Sequence, residues 1–280
     1  MARAPSIVAS RRLSSTAVTF SGTILVVMLL AALLADLIGP HDPLSIDPNR
    51  ILESPTRTFW LGTDELGRDL LSRLMHGARV SLAVAISAVA IAAVVGVPLG
   101  ITLAYVGGRV ETLAMRVVDV FVSLPEIFIA IVVLAFAGGG MTPLIATIGL
   151  LYFPQFARVS HSMARSILVR DHVLASRSLG AGPLWIVRKE VVINMYSVIA
   201  VQASFTLSFA MLTEAGLSFL GLGVPAPTPS WGQMIGTLKD YIYINAWPVV
   251  LPSIALFATV LAVNVLGDCL QDRLNPELRR

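Results

Sequence analysis

The sequence predicts an all-α polytopic membrane protein of six transmembrane helices, with both termini on the same side. Three observations carry this. The 280-residue chain is 56% hydrophobic and only 13% charged, whereas soluble domains average about 25% charged residues; its mean hydropathy is +0.81. Apolar stretches near the roughly 20 residues that cross a bilayer recur six times. The basic residues then sort by side: fourteen Lys/Arg fall on the side assigned to the termini and six on the other, the bias of cytoplasmic loops. The outer six are Arg50, Arg57, Arg68, Arg73, Arg79 and Lys239. Most lie in one long segment, which translocates largely regardless of charge.

The chain opens with a short polar stretch, 1–16, carrying Arg3, Arg11 and Arg12 and assigned to the cytoplasm. Ala17 to Ala35 is uncharged and apolar, and it is longer than the apolar region of a usual signal peptide. A retained first transmembrane helix is therefore placed over 17–38. Residues 39–79 form an external segment. Its Asp64 and Glu65 suit a helix start, where acids complement the dipole, and Arg68 and Arg73 are near enough to pair with them. A catalytic or cation-binding role for these acids is the alternative.

Residues 80–270 hold five more spans. The second, Val80 to Gly108, has no charge before the Gly107-Gly108-Arg109 turn. The third covers Leu113 to Ala137 and contains Asp119, Pro125 and Glu126; Pro125 predicts a kink. Gly138-Gly139-Gly140 is a flexible turn, and the fourth span, Pro143 to Ala157, ends at Arg158. The fifth runs from Val191 to Thr213 and the sixth from Trp247 to Gly267. Between them, 214–240 is apolar yet rich in glycine and proline. Irregular backbone of that kind cannot face lipid and must line protein or water. Residues 271–280 form a cytoplasmic tail.

The segment 158–194 is the long charged loop between spans, with six basic residues against Asp171 and Glu190. Met163, Ile167, Leu174 and Ser178 fit one face of an amphipathic helix. Gly180 and Gly182 break it. Pro183 then suits the first position of a new helix that runs into the fifth span.

Four motifs resemble those of ABC-importer permeases, in particular the peptide- and nickel-importing branch. Val173-Leu174-Ala175-Ser176-Arg177-Ser178-Leu179-Gly180-Ala181 is similar to the EAA loop, with Ala175 and Gly180 in register. Leu174 stands in place of the usual glutamate and Ser176 in place of the second alanine, and the Ile-x-Leu-Pro end reads Glu190-Val191-Val192-Ile193, without its proline. Leu61-Gly62-Thr63-Asp64-Glu65-Leu66-Gly67-Arg68-Asp69-Leu70-Leu71-Ser72-Arg73 matches a long and specific signature nearly throughout. Glu214 to Val224, followed by Pro229-Ser230-Trp231-Gly232, resembles a second one. The tail from Gly267 to Pro276 resembles the family ending, with Gln271 and Asn275 departing from it.

This resemblance implies a type I ABC importer permease bundle in a bacterial cytoplasmic membrane. It implies as partners a second homologous permease chain, two ATPase subunits or domains, an extracytoplasmic substrate-binding protein and membrane lipid. The implied cargo is a dipeptide or oligopeptide, with nickel or a metal chelate as the rival. The implied ATPase-coupling loop comprises Leu174, Ala175, Ser176, Arg177, Ser178, Leu179, Gly180, Ala181 and Gly182. Arg177 either pairs with a partner acid or is solvated.

The residues set limits beside this likeness. The sequence holds no Gly-x-x-x-x-Gly-Lys-Ser/Thr phosphate loop, so ATP and Mg are expected on partner chains and no cofactor on this one. The single Cys269 rules out an intramolecular disulfide and offers no metal motif. His41, His76, His161 and His172 lie outside the expected spans and read as solvated loop side chains, so no metal site is expected. Topology explains the pI near 9.3, so nucleic acid is not an expected partner. Gly216-Leu217-Ser218 superficially resembles a Gly-x-Ser nucleophile, but no histidine lies in an expected span to serve as its base. No catalytic residue is assigned. A plain channel differs from a transporter in passing its cargo without ATP.

Charges within spans cost roughly 2.5–3.5 kcal/mol at the membrane centre on insertion scales and usually face a cavity or a partner. Asp119, Glu126 and Glu214 qualify as candidates for the translocation path. Asp119 is expected to pair with Arg116 three residues earlier. Glu126 is the leading path candidate, against packing on the partner permease. Glu214, at the start of the irregular segment, is either a gate or a capped turn.

Overall fold

A computed structural model describes residues 15–274. The expectations for 1–14 and for the tail beyond Leu274 lie outside the described residues.

Among the described residues eleven helices follow in the order α1 (Ser15–Leu33), α2 (Ala35–Ile38), α3 (Leu70–Val106), α4 (Gly108–Ser123), α5 (Glu126–Ala137), α6 (Met141–Leu168), α7 (Asp171–Ser178), α8 (Pro183–Ile186), α9 (Ile193–Phe219), α10 (Trp231–Leu238) and α11 (Trp247–Leu274). Short 3₁₀ turns and one π-helical segment, Val187–Val192, join them. Four continuous stretches are long and apolar enough to cross a membrane: α1, α3, Pro183–Phe219 and α11. The bent pair α4 and α5 makes five if counted as one span. The fourth expected span lies in α6, which is long enough at 28 residues but is too polar to join them. It carries Arg158, His161 and Arg165 on the same helix as its apolar half.

The core is the contact of α3 with α6, and small residues make it close. A Cβ at Gly96 would stand 2.4 Å from the Phe153 carbonyl oxygen, and one at Gly100 would stand 2.3 Å from that of Ala157. Two glycines one turn apart thus let the helix backbones meet, the small-residue packing favoured between membrane helices. Ala85, Ala88 and Ala92 of α3 pack with Leu144, Ile148 and Phe156 of α6 in the same buried cluster.

Several expectations are corrected here. Span three is broken: α4 and α5 meet at 91° across Leu124 and Pro125, a far sharper turn than a proline kink. α6 does not end at Arg158 but runs on to Leu168, because basic residues continue a helix beyond the apolar part as readily as within it. Residues 158–178 are two helices. Arg170 takes extended backbone, and Asp171 opens α7 with its acid in the first turn. Asp64 starts no helix; Asp69 caps α3, its carboxylate accepting from the Ser72 backbone N–H at 2.9 Å. Asp64 instead pairs with Arg68 at 2.6 Å and Arg73 at 3.0 Å, all three nearly buried, as the ion-pair expectation held.

Three histidines expected in loops sit in helices, His172 among them in α7. His76 lies in α3 and bonds Asp36 at 3.0 Å, and His161 lies in α6 and bonds Glu111 at 2.7 Å. Glu214 does not begin the irregular segment. It is buried inside α9, because the helix-breaking glycines and prolines start only at Gly221.

Candidate functional site

The loop that joins α6 to α9 is built from its own sequence. α7 ends at Ser178 with Leu179 as its cap, and Gly180 follows at φ +87°, a conformation glycine takes without the Cβ penalty. The Gly180 N–H donates to Arg177 O at 2.9 Å and the Ala181 N–H to Ser176 O at 3.0 Å. Together these close a Schellman turn that satisfies the last carbonyls of α7. Gly182 then precedes Pro183, which stands at the first position of α8, where its missing N–H costs nothing. From Pro183 the chain is helical to Phe219, so the turn is continuous with a span.

The loop is fixed to the bundle by an apolar underside. Val173, Ile186 and Val191 are buried with Ile167 of α6, Ile101 of α3 and Met195 of α9. A polar brace adds to this. Ser176 Oγ donates to Glu190 Oε1 at 3.2 Å, and His172 Nε2 lies 3.4 Å from the other oxygen of the same carboxylate. The brace comes from the π segment, and such segments occur frequently at functional sites. The Arg177 guanidinium stacks over the Tyr105 ring at 5.3 Å, so it is held against α3 rather than free in solvent. On the outer side of the turn the apolar residues face away from the bundle: Leu179 is 89% exposed and Leu184 70%, with Leu174 and Trp185 about half exposed.

The three path candidates are not gathered in one place. Glu126 is the first residue of α5, at the bend of the broken span, and accepts from Gln155 Nε2 of α6 at 3.2 Å. Beside Gln155 on α6, the Tyr152 hydroxyl shares a 2.7 Å hydrogen bond with Thr213. Asp119 pairs with Arg158 of α6 at 2.5 Å, not with Arg116 as sequence spacing predicts. The acid lies on the side of α4 that meets α6, so a base across the seam outcompetes its helical neighbour. Glu214 accepts from Ser218 Oγ at 2.7 Å, with the Ser81 and Ser230 hydroxyls also beside it, and it takes no part in the Glu126 group. Its surroundings are tightly closed: a Cβ at Gly232 of α10 would stand 2.5 Å from Ala215 O, and one at Gly223 would overlap Ser218.

One constellation escaped the sequence reading. Glu111, nearly buried near the start of α4, accepts from His161 Nε2 and Arg165 Nη1, both at 2.7 Å. Its signal was the spacing of Glu111 and Asp119 on α4, about two helical turns apart. Among the described residues, no three His, Cys, Asp or Glu side chains are grouped as a metal ion would need.

Comparison with known proteins shows the family. Residues 96–280 match the family of binding-protein-dependent transport system inner membrane components. The chain is 39% identical over 261 residues to the di/tripeptide transport system permease protein DppC of Pseudomonas aeruginosa, covering 91% of this chain and 86% of that protein. It is 38% identical over 256 residues to the nickel transport system permease protein NikC of Escherichia coli, covering 91% and 92%. It is 35% identical over 272 residues to the dipeptide transport system permease protein DppC of Bacillus subtilis, covering 96% and 85%. In fold it is similar to a chain of the MetNI methionine ABC transporter, solved in inward facing conformations. The TM-score is 0.59 at 22% identity, over 72% of this chain and 96% of that one. The chain therefore belongs to the family of inner membrane components of binding-protein-dependent transport systems, the ABC-importer permeases.

Proposed function

We propose that this permease moves dipeptides and oligopeptides inward across the cytoplasmic membrane. It works paired with a second homologous permease chain, two ATPase subunits and an extracytoplasmic binding protein. Residues 174–182 form the coupling loop, which docks on an ATPase; ATP and its Mg act there and not on this chain. Both termini and this loop lie in the cytoplasm, as the excess of basic residues on that side supports. The observation that carries the reading is the helix, Schellman turn and helix, braced beneath, continuous with α9 and presenting Leu179 and Leu184 outward. Such a rigid lever converts closure of a docked ATPase into rocking of the bundle, as alternating access requires. Glu126, at the exposed break between α4 and α5, lines the path. Backbone broken at membrane depth must face protein or water rather than lipid.

Nickel, or a metal chelate, is the second reading. Identity to a nickel permease stands within one percentage point of identity to a di/tripeptide permease. Uptake of labelled dipeptide and of nickel in cells carrying the complete operon, with and without this chain, decides between them. Loss of dipeptide uptake alone supports the peptide reading. Loss of nickel uptake alone moves the assignment to the metal. Loss of neither contradicts both.

A further inference from the structure

The broken span is suspended between glycine joints. At one end Gly107 and Gly108 take φ +69° and +67°, and at the other Gly138 and Gly140 take +80° and +143°. A Cβ added at Gly108 or Gly138 would meet nothing within 4 Å, so neither joint is wedged by packing. Between the joints, four polar contacts made by three acids fasten the span to α6. Glu111 accepts from His161 and Arg165 at 2.7 Å each. Arg158 Nη2 donates to Asp119 at 2.5 Å. Gln155 Nε2 donates to Glu126 at 3.2 Å, beyond the bend. The acceptors ascend in sequence, at 111, 119 and 126, while the donors descend, at 165 and 161, then 158, then 155. This is an antiparallel ladder with every acid on the broken span and every donor on α6. Apolar contacts share the seam, among them the edge-on rings of Phe121 and Phe153 with centroids 6.0 Å apart.

α6 has a second attachment. Its last turn leads through Val169 and Arg170 directly into α7 and the coupling loop. A displacement of that loop therefore pulls on α6 along the chain, and α6 holds the broken span through these charged contacts. Building on the proposed function above, we infer that Glu111 and Asp119 are positioning residues: through them α6 transmits movement of the coupling loop to the broken span and so to Glu126. They touch neither cargo nor ATP. Their loss is expected to uncouple ATP hydrolysis from transport, where loss of a merely structural contact lowers both together.

The test is the number of ATP molecules hydrolysed per labelled dipeptide imported. It is measured on the complete complex in proteoliposomes with its binding protein, and nickel is measured in parallel. Asp119→Arg and Arg158→Asp are each expected to raise that ratio at least about fivefold, the lower end of typical coupling between sites. The double variant, which restores the pair with its charges exchanged, is expected to return it to within about twofold of wild type. Glu111→Gln, milder and less prone to misassembly, is expected to raise it as well. Unchanged ratios in all of these variants overturn the inference. So does a parallel fall of hydrolysis and import in every variant, or a charge-swapped complex that assembles without recovering the ratio. A wild-type complex that imports neither cargo overturns the proposed function itself, an outcome separate from these.

Discussion

α6 meets its two neighbours in opposite ways. Against α3 the seam is apolar and so close that Gly96 and Gly100 leave no room for a methyl group. Against α4 and α5 the seam is charged, and its central pair is about half exposed: Asp119 at 47% and Arg158 at 50%. Close packing falls off steeply with separation, so the first seam tolerates no sliding. Partly solvated ion pairs contribute little net stability and can shift and re-form. The contrast divides the bundle into a rigid block, α3 with α6, and an arm hung on it by charges and glycines. Transport by rocking needs both kinds of contact.

The contrast can be broken first at its rigid side. Gly100→Val drives a branched side chain into Ala157 O and the His161 backbone. Overpacking of this kind costs about 3 kcal/mol. The expected result is a marked loss of folded permease, read as membrane abundance and as the midpoint of thermal unfolding in detergent. Normal abundance and an unchanged midpoint would show that the seam is looser than its geometry implies.

On the mobile side the effect belongs to transport and not to folding. Glu126→Gln keeps shape and removes charge, and the Gln155 contact survives with an amide oxygen as acceptor. Uptake of dipeptide is expected to fall about tenfold, corresponding to roughly 1.4 kcal/mol, with abundance unchanged. Unaltered uptake and cargo preference would remove Glu126 from the path.

A smaller effect is expected at the turn proposed to drive the arm. Gly180→Ala forces a side chain into left-handed backbone at about 1–2 kcal/mol, with open space around the new methyl. The protein should assemble but import severalfold more slowly. Wild-type import would mean the turn is not a stiff part of the lever.

The smallest effect comes from the buried ion pairs of the external segment, which resemble the rigid seam more than the ladder. Burial first, and the Asp64 charge next, push the Glu65 carboxyl above its ordinary value of 4.5. A group that holds its proton more tightly when folded favours the folded state below that ordinary value. The advantage is lost as pH rises through the higher, folded value. Stability of the wild type should therefore decline over the window just above pH 4.5. Glu65→Gln, which cannot titrate, should decline less. Thermal unfolding of both proteins across that range checks this, and identical slopes would contradict it.

The parts legible in the sequence were those set by local chemistry. Gly180 and Pro183 announce a turn and a helix start through their own backbone limits, and both stand where expected. Composition and span length led to a helical membrane fold. What stayed hidden depends on which helices become neighbours. Arg116 is the expected partner for Asp119 until α6, laid against α4, brings Arg158 to it. Glu214 sits seven residues before Gly221, the first disruptive glycine of its segment, so composition placed it at a boundary that α9 carries it past. His161 looked solvated because Arg158 looked like the end of a span. A helix ends where its hydrogen bonding ends, not where its apolar residues do.

The most direct test of the account asks what the outward face of the coupling loop touches. Leu179→Cys, in a chain whose own Cys269 is replaced by serine, presents one thiol at the tip of the turn. A short thiol-to-amine cross-linker is applied to the complete complex in membranes. Cross-linking to an ATPase subunit, reduced when ATP analogue changes the ATPase conformation, is the predicted result. Cross-linking to the extracytoplasmic binding protein, or to neither, would contradict both the topology and the coupling role of this loop.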